Sequence, residues 1–388
     1  MAEQRQAAEI LGENLRRYRN DRGWSQEEAA EKADLSRAAY IQIEMGKAEP
    51  RTGTLLRLAE TFGLKLEELF VPARRLTFVR FRAHARLNTR NETLSNVSRW
   101  LDDYLLLEKA LDQQPMPQLR RSVRLKSGNW KEQVQSIAAM VRTDLGLMPL
   151  EGIRDICGLL EDRAGIKLLA TQVRAEGFFG LSVGKEDGGP AIVVNTEERI
   201  PIERQVFTAV HELGHVIMHP DAYDASAVEE IAQEENEANY FAGCFLMPDE
   251  LFRNEWGETS GHAFVDRVLK VKRIFHVSYK TVLYQISETI DGEHDVWNHF
   301  LDEYQKKYGR TLEKTEEPDA IRGSLLDYGA PARLEPMRLE RADFIADRFR
   351  RLVREALEKE EISRSTAAGM LGITVSELRE LQASWSVA

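Results

Sequence analysis

The stretch V-H-E-L-G-H-V-I-M-H occupies residues 210–219 and contains the spacing H-E-x-x-H. On a helix, His211 and His215 lie four residues apart on one face, so their imidazoles can bind one tetrahedral metal ion. Glu212 follows the first imidazole and is the candidate general base, because a bound metal lowers the pKa of water to about 7 and a nearby carboxylate can take the proton. The pattern predicts metal-dependent hydrolysis, with a peptide bond as the first candidate substrate.

A third metal ligand is expected on a second predicted helix, E-E-N-E-A-N-Y-F-A-G-C-F-L-M-P at residues 234–248. Glu235 is the first choice, and it shares a helix face with Asn239. Glu237 points about 200° away from Glu235 at about 100° per residue, so it is the second choice, and Glu234 is the third. Two imidazoles and a carboxylate suit Zn²⁺, and Mn²⁺ also accepts these ligands. The alternative is that the glutamates form a solvent-exposed helix face and that the histidines are core residues whose ring nitrogens are hydrogen-bonded within the protein.

Composition predicts a cytoplasmic protein with two or three domains. The chain has 388 residues, 43% of them hydrophobic, and only 2 cysteines, which is too few for a disulfide framework. The N-terminus lacks the apolar core of a signal peptide, and no run approaches the roughly 18 apolar residues of a membrane span. A net charge of −11 argues against nonspecific nucleic-acid binding by the whole molecule.

The sequence of residues 11–70 predicts a short, all-helical unit. Ser25 caps a helix and Glu28 stands at its capping-box position, while Ser36 caps the helix that follows a tight turn. Two helices around such a turn are typical of a helix-turn-helix.

The run G-W-S-Q-E-E-A-A-E-K-A-D-L-S-R-A-A-Y-I-Q-I-E-M-G-K-A-E-P-R at residues 23–51 resembles the Xre/Cro-type repressor domain. That resemblance implies that Gln26, at the start of the second helix, contacts a DNA phosphate. It implies that the recognition helix contacts base edges through Ser36, Arg37, Ala38 and Tyr40. It also places Lys47 and Arg51 near the DNA backbone.

The charge of this segment leaves its partner open. Residues 1–70 contain 11 basic and 13 acidic residues, whereas DNA affinity depends on neutralised phosphates. Ala38 and Ala39 also give the recognition helix little hydrogen-bonding reach. The segment binds DNA, or pairs with protein in a homodimer or with another repressor of the same fold, or does both.

A basic stretch follows the helical unit. Residues 71–100 hold seven arginines and one glutamate, and the chain alternates with period two, so Arg80, Arg82 and Arg86 share one face of a predicted strand. The stretch from Arg74 to Arg99 either forms a groove for nucleic-acid phosphates or pairs with the acidic remainder of the chain.

The segments G-P-A-I-V-V-N-T, R-Q-V-F-T-A-V-H-E-L-G-H-V-I-M-H and E-N-E-A-N-Y-F-A-G-C-F-L-M-P resemble the ImmA/IrrE metallopeptidase family over about residues 147–282. The resemblance implies that His211, His215 and Glu235 are the metal ligands and Glu212 the general base. It also implies that His219 lies near the site in a structural role. Members of this family cleave repressors that contain a helix-turn-helix and so release stress, mobile-element or anti-phage defence genes.

The expected fold class is α+β and mostly helical, with a small sheet beside the metal-binding helices. We expect a helix-turn-helix domain over residues 1–72, a metallopeptidase domain over 73–300 and a helical C-terminal region over 301–388. The end of the chain, I-S-R-S-T-A-A-G-M-L-G-I-T-V-S-E-L-R-E-L, resembles a second helix-turn-helix, for which a structural or partner-docking role is favoured over DNA reading.

Two functions compete. The first is a zinc-dependent endopeptidase that cleaves a helix-turn-helix repressor or an antitoxin-like partner. The second is a DNA-binding regulator or antitoxin that uses the peptidase fold as a sensor or scaffold. The presence of Glu212 beside His211 favours the enzyme, because a scaffold needs no base.

Overall fold

The chain forms two compact units in the computed structural model. The described residues are 2–64, 66–70, 76–83, 90–114, 119, 122–175, 177–220, 223, 231–290, 295–313, 316–318 and 339–385. The first unit comprises residues 1–76, 88–114 and 350–388, and the second comprises 77–87 and 115–349. The division into domains at residues 72 and 300 stays a prediction.

Helices make up most of the described chain. In chain order they are α1 (Ala2–Asp21), α2 (Gln26–Lys32), α3 (Arg37–Glu44), α4 (Thr52–Thr61), α5 (Arg90–Ala110), α6 (Trp130–Asp144), α7 (Ile156–Gly158), α8 (Ile202–Met218), α9 (Ala232–Leu246), α10 (Asp249–Glu258), α11 (Phe264–Phe275), α12 (Tyr279–Thr289), α13 (Val296–Tyr308), α14 (Arg348–Glu358), α15 (Arg364–Leu371) and α16 (Val375–Trp385). Short 3₁₀ turns cover Leu66–Phe70, Lys185–Asp187 and Arg341–Asp343, and a π turn covers Leu159–Arg163.

The described strands form one sheet in the second unit. They are β1 (Val79–Ala83), β2 (Lys167–Thr171), β3 (Phe178–Val183) and β4 (Ala191–Asn195), in the order β1-β3-β4-β2. The β1–β3 and β3–β4 pairs are antiparallel, and the β2–β4 pair is parallel. All five residues of β4 are buried, as its apolar sequence predicts. The predicted α+β, mostly helical fold class is confirmed.

Helix α8 packs against β3, β4 and α9, and its close approach to two of them depends on glycine. A Cβ atom at Gly214 would lie 3.1 Å from Cδ1 of Phe241 on α9. A Cβ at Gly180 on β3 would lie 2.7 Å from Cγ2 of Thr208 and 2.8 Å from the carbonyl oxygen of Val193. Both glycines therefore let neighbouring backbones come close to the part of α8 that carries H-E-x-x-H.

The first unit contains the predicted capped helices. The Ser25 side chain accepts a hydrogen bond from the backbone N–H of Glu28, and the Glu28 carboxylate accepts one from the N–H of Ser25, which completes the capping box. Ser36 caps α3 by accepting from the N–H of Ala39. Ser363 caps α15, and Gly372, at φ +67°, ends it before α16.

The core of the first unit also holds a buried ion pair. Arg19 donates to both carboxylate oxygens of Glu44, from Nε at 2.8 Å and from Nη2 at 2.9 Å. Among the described residues, no helix has the length and apolar character needed to cross a bilayer.

Candidate metal centre

Helices α8 and α9 bring two imidazoles and a carboxylate together. Nε2 of His211 lies 2.9 Å from Nε2 of His215. Glu235 on α9 faces both rings, with Oε2 3.2 Å from Nε2 of His211 and Oε1 3.2 Å from Nε2 of His215. Within the described part of the chain, these three residues form a group whose possible ligand atoms lie within 4.8 Å of one another.

The other ring nitrogens make contacts that orient both imidazoles. Nδ1 of His211 lies 3.0 Å from the amide oxygen Oδ1 of Asn239, which can only accept a hydrogen bond. Nδ1 of His215 lies 2.9 Å from Nδ1 of His219. With both protons on Nδ1, the Nε2 lone pairs of the two ligand candidates face the same point, which is the arrangement that metal binding needs.

Behind His215 the contacts continue to a second carboxylate. Nε2 of His219 lies 2.8 Å from Oε2 of Glu237, and Nε2 of Gln233 donates to Oε1 of Glu237 at 2.8 Å. Glu237, the second choice for the third ligand, therefore contacts His219. If His219 donates from Nε2 to this carboxylate, its Nδ1 can accept the proton of His215, so each ring in the series has a defined donor and acceptor.

The residues present fit a Zn²⁺ ion. A tetrahedral zinc with bonds of about 2.0–2.1 Å separates neighbouring ligand atoms by about 3.3 Å. The observed separations of 2.9 Å between the two imidazoles and 3.2 Å from each imidazole to Glu235 are close to that value. Two buried Nε2 lone pairs this close repel each other, and a shared cation removes that repulsion. Ligand type alone does not separate Zn²⁺ from Mn²⁺.

Burial and contacts set the protonation states. Burial lowers the pKa of His215 well below its usual value, and it also lowers the pKa of His219. Neutral imidazoles and an ionised carboxylate are the forms that bind a metal ion.

Glu212, the candidate base, is fully buried on α8, with an exposed fraction of 0%. A Cβ at Gly180 would lie 3.5 Å from Cγ of Glu212, so β3 runs directly beside the base. The sequence analysis missed Tyr223, whose buried hydroxyl donates to Oγ of Ser182 at 3.2 Å. Burial raises the pKa of Tyr223, and the nearby charge of Glu212 raises it further. No spacing in the sequence signalled this tyrosine.

The basic stretch contributes one arginine to this region. Arg80 on β1 donates to Oε1 of Glu235 at 3.0 Å, and it also hydrogen-bonds Glu234, the third-choice ligand. For Arg80, this contact favours pairing with acidic residues of the chain over a phosphate groove. Arg74 and Arg86 lie outside the described residues, as does the side chain of Arg82.

The residues that the repressor resemblance implied for DNA contact differ in how exposed they are. Tyr40 is buried with an exposed fraction of 0%, so the expectation that it faces base edges is wrong: its ring belongs to the core of the first unit. Gln26 is half-buried and donates to Oε1 of Glu44 at 3.1 Å. The remaining residues of that set are exposed, namely Ser36, Arg37, Ala38, Lys47 and Arg51. Their DNA contacts stay a prediction.

Comparison with known proteins identifies the segment that carries the cluster. The peptidase family described as the IrrE N-terminal-like domain matches residues 161–287, which include all of α8 and α9. Residues 161–287 therefore form an IrrE N-terminal-like peptidase domain. The helix-turn-helix family matches residues 15–69, as the repressor resemblance led us to expect.

Curated relatives match 57 to 60 residues of the chain, and both are named as helix-turn-helix-type transcriptional regulators. An uncharacterised helix-turn-helix-type transcriptional regulator of Methanocaldococcus jannaschii is 37% identical over 57 residues, which are 15% of this chain and 86% of that protein. The SPbeta prophage-derived uncharacterised regulator YonR of Bacillus subtilis is 35% identical over 60 residues, 16% of this chain. The chain covers 56% of YonR.

A solved Mycobacterium tuberculosis transcriptional regulator is 16% identical to this chain. The match covers 50% of this chain and 53% of that one. Its TM-score of 0.30 is too low to assign a shared fold.

Proposed function

We propose that the chain is a zinc-dependent endopeptidase that cleaves a helix-turn-helix repressor or an antitoxin-like partner. One observation carries the proposal: the Nε2 atoms of His211 and His215 and the carboxylate of Glu235 converge within 3.2 Å, with Glu212 on the same helix. The family match over residues 161–287 supports a peptidase. Cleavage of a repressor would release a stress, mobile-element or anti-phage defence programme.

In this mechanism His211, His215 and Glu235 hold the metal. A bound Zn²⁺ would polarise the scissile carbonyl and lower the pKa of water. Glu212 would take the proton of the attacking water on its carboxylate and then give it to the amine that leaves. The amide oxygen of Asn239 and the Nδ1 of His219 are placed to accept the Nδ1 protons of His211 and His215, which would leave both Nε2 atoms for the metal. The buried surroundings of Glu212 would limit competing contacts with bulk water.

The helix-turn-helix segment supports a repressor as the substrate class. It belongs to the same class of domain as the proposed substrate, and residues 1–70 have more acidic than basic residues, which suits protein pairing better than tight DNA binding. A segment that pairs with a repressor would raise its effective concentration near the metal.

The test is cleavage of a helix-turn-helix repressor, beginning with any that is encoded next to this gene. Wild-type protein with Zn²⁺ should cut it, and a chelator should stop the reaction. The Glu212→Gln variant removes the proton acceptor but no ligand, so it should slow cleavage by about 10²- to 10⁴-fold. Equal cleavage by wild type and Glu212→Gln would contradict the mechanism.

A second candidate is a DNA-binding regulator that uses the peptidase fold as a sensor. Two observations favour it. Arg37, Lys47 and Arg51 are exposed, and the curated relatives are named as transcriptional regulators. Gel-shift titration of the full chain on DNA from its own promoter region, at two salt concentrations, separates the two. Tight, salt-dependent binding together with no cleavage of any repressor would favour the regulator.

A further inference from the structure

We propose that Arg80 is a positioning residue for the third metal ligand, and that Glu234 balances its charge. The inference deepens the proposed function and rests on the metal site that it uses. Arg80 contacts Glu235 on the side of the carboxylate that also faces His215, since both approach Oε1. The Oε2 atom on the other side faces His211.

The three charged groups are held away from solvent. The side chain of Arg80 is 11% exposed, that of Glu234 21% and that of Glu235 13%. A guanidinium presents its N–H groups in a rigid planar fork, so one arginine can bind two neighbouring carboxylates at once and restrict both. In this site the fork spans two consecutive residues in the first turn of α9.

Arg80 is itself held in a fixed position by the sheet. It pairs with Ser182 in the antiparallel β1–β3 ladder. Just before β1, the backbone N–H of Phe78 donates to Oδ2 of Asp187 at 2.6 Å, and the Phe78 carbonyl accepts from the N–H of Gly184 at 2.8 Å. These contacts fix the register of β1 in the sheet. Through Arg80, the position of β1 therefore restricts the position of the Glu235 carboxylate on α9.

The charge balance explains why a cation is tolerated so close to a metal site. An arginine alone beside Zn²⁺ would oppose metal binding by charge repulsion. Glu234 supplies a second carboxylate, so the triad of Arg80, Glu234 and Glu235 keeps a net charge of −1, the same as Glu235 alone. Arg80 can then orient Glu235 without reducing the negative charge near the metal.

The test separates orientation from charge. The double variant Arg80→Met/Glu234→Gln removes one positive and one negative charge, so the net charge of the triad stays the same and only the hydrogen-bonded support is lost. Zn²⁺ affinity of the full chain is measured by competition with a chromophoric chelator. Loss of support for a metal ligand costs about 10- to 100-fold in affinity, and we expect the double variant to lose affinity in that range.

Arg142→Met is the matched control. It removes another buried arginine of the same unit, whose hydrogen bonds go to backbone carbonyls such as that of Phe245. Thermal unfolding of the metal-free proteins reports any general loss of stability. We expect Arg142→Met to lower stability but to bind Zn²⁺ as wild type does. Wild-type affinity in the double variant would overturn the inference, as would an equal loss in Arg142→Met.

Two further variants keep the outcome interpretable. If the double variant does not fold, Arg80→Lys keeps the charge but loses the fork, and an affinity loss of several-fold is expected; no change would overturn the inference. His211→Ala tests the site itself. If His211→Ala binds Zn²⁺ as wild type does, the proposed function fails at its metal site; if only the double variant is unaffected, the role of Arg80 alone fails.

Discussion

The helix pair α8–α9 and the predicted recognition helix α3 both carry residues singled out by motif, and the structure treats them differently. On α8, His211 and His215 are buried and each contacts a polar partner with both ring nitrogens. On α3, Arg37 is exposed while Tyr40 lies in the core. The imidazoles on α8 and the Glu235 carboxylate on α9 converge on one point, as a bound metal ion requires, whereas the exposed residues of α3 can act only through contact with a partner.

The charges of the two regions show the same contrast. At the candidate metal centre, the carboxylate of Glu235 faces the two imidazoles as well as Arg80. In the helix-turn-helix, Glu44 is buried and binds Arg19 and Gln26 within its own unit. The polar groups in the core of the first unit thus contact one another within the fold. Contacts of this unit with a partner are left to its exposed residues.

The largest expected effect lies at the metal centre. Glu235→Ala should lose the metal and all peptidase activity, because it removes a ligand. Glu237→Ala should keep the metal with affinity lowered by about 10- to 100-fold, because its carboxylate supports His219 behind a ligand. Metal content after dialysis and Zn²⁺ titration measure both. Full metal occupancy in Glu235→Ala with none in Glu237→Ala would reverse the assignment.

Next in size is the effect of truncating the buried tyrosine of α3. Tyr40→Ala should destabilise the first unit by about 3–5 kcal/mol, as is usual for an aromatic side chain removed from a core. Arg37→Ala, on the exposed face of the same helix, should change stability by less than about 0.5 kcal/mol. Urea unfolding followed by circular dichroism compares the two. Equal stability of both variants would mean that Tyr40 is not a core residue.

The carboxyl groups of Glu44, in the first unit, and Glu317, in the second, should respond differently to pH. Contacts with Arg19 and Gln26 outweigh the effect of burial and lower the pKa of Glu44, whereas burial raises the pKa of Glu317 to about 7. A raised pKa favours the protonated folded state. The stabilisation from Glu317 is therefore complete below its unfolded pKa of about 4.3 and is lost as the pH rises through about 7.

Glu317→Gln should remove this pH dependence. At about 1.4 kcal/mol per pKa unit, the difference is at most about 4 kcal/mol between pH 4 and pH 8. Melting temperatures of wild type and variant across that range measure it. Parallel curves for the two proteins would contradict the assignment.

The smallest expected effect concerns docking by the helix-turn-helix. The triple variant Arg37→Ala/Lys47→Ala/Arg51→Ala changes exposed side chains and should leave the fold intact. If this surface holds the repressor near the metal, kcat/KM for the repressor should fall by about 10-fold while cleavage of a short unfolded peptide stays the same. An unchanged rate for the repressor would assign these residues to DNA contact or to no contact.

Local spacing predicted the parts of the site that lie on one helix. The i,i+4 relation of His211 and His215, and the helix phase of Glu235, needed only the geometry of an α-helix. The phase argument also set Glu237 apart from Glu235, but it could not predict that Glu237 contacts His219 on another helix. Such a contact depends on how closely the two helices approach, and Gly214 indicates this only once α9 is known to lie beside it.

Contacts between residues far apart in the chain could not be predicted from local sequence patterns. The alternation around Arg80 predicted a strand with a basic face, yet its partners on α9 lie more than 150 positions along the chain. For Tyr40, the family pattern implied a role at the surface, but the side chain is buried by the packing of the first unit. Residues 350–388 likewise join the same compact unit as the N-terminal helices, a grouping that no local pattern indicated.

Metal analysis of the Glu212→Gln variant, beside wild type and His215→Ala, tests the central claim most directly. The account predicts about one zinc per chain in wild type and in Glu212→Gln, little or none in His215→Ala, and repressor cleavage by wild type alone. Such a result separates the ligands from the base. Loss of zinc in Glu212→Gln, or full zinc content in His215→Ala, would contradict the account.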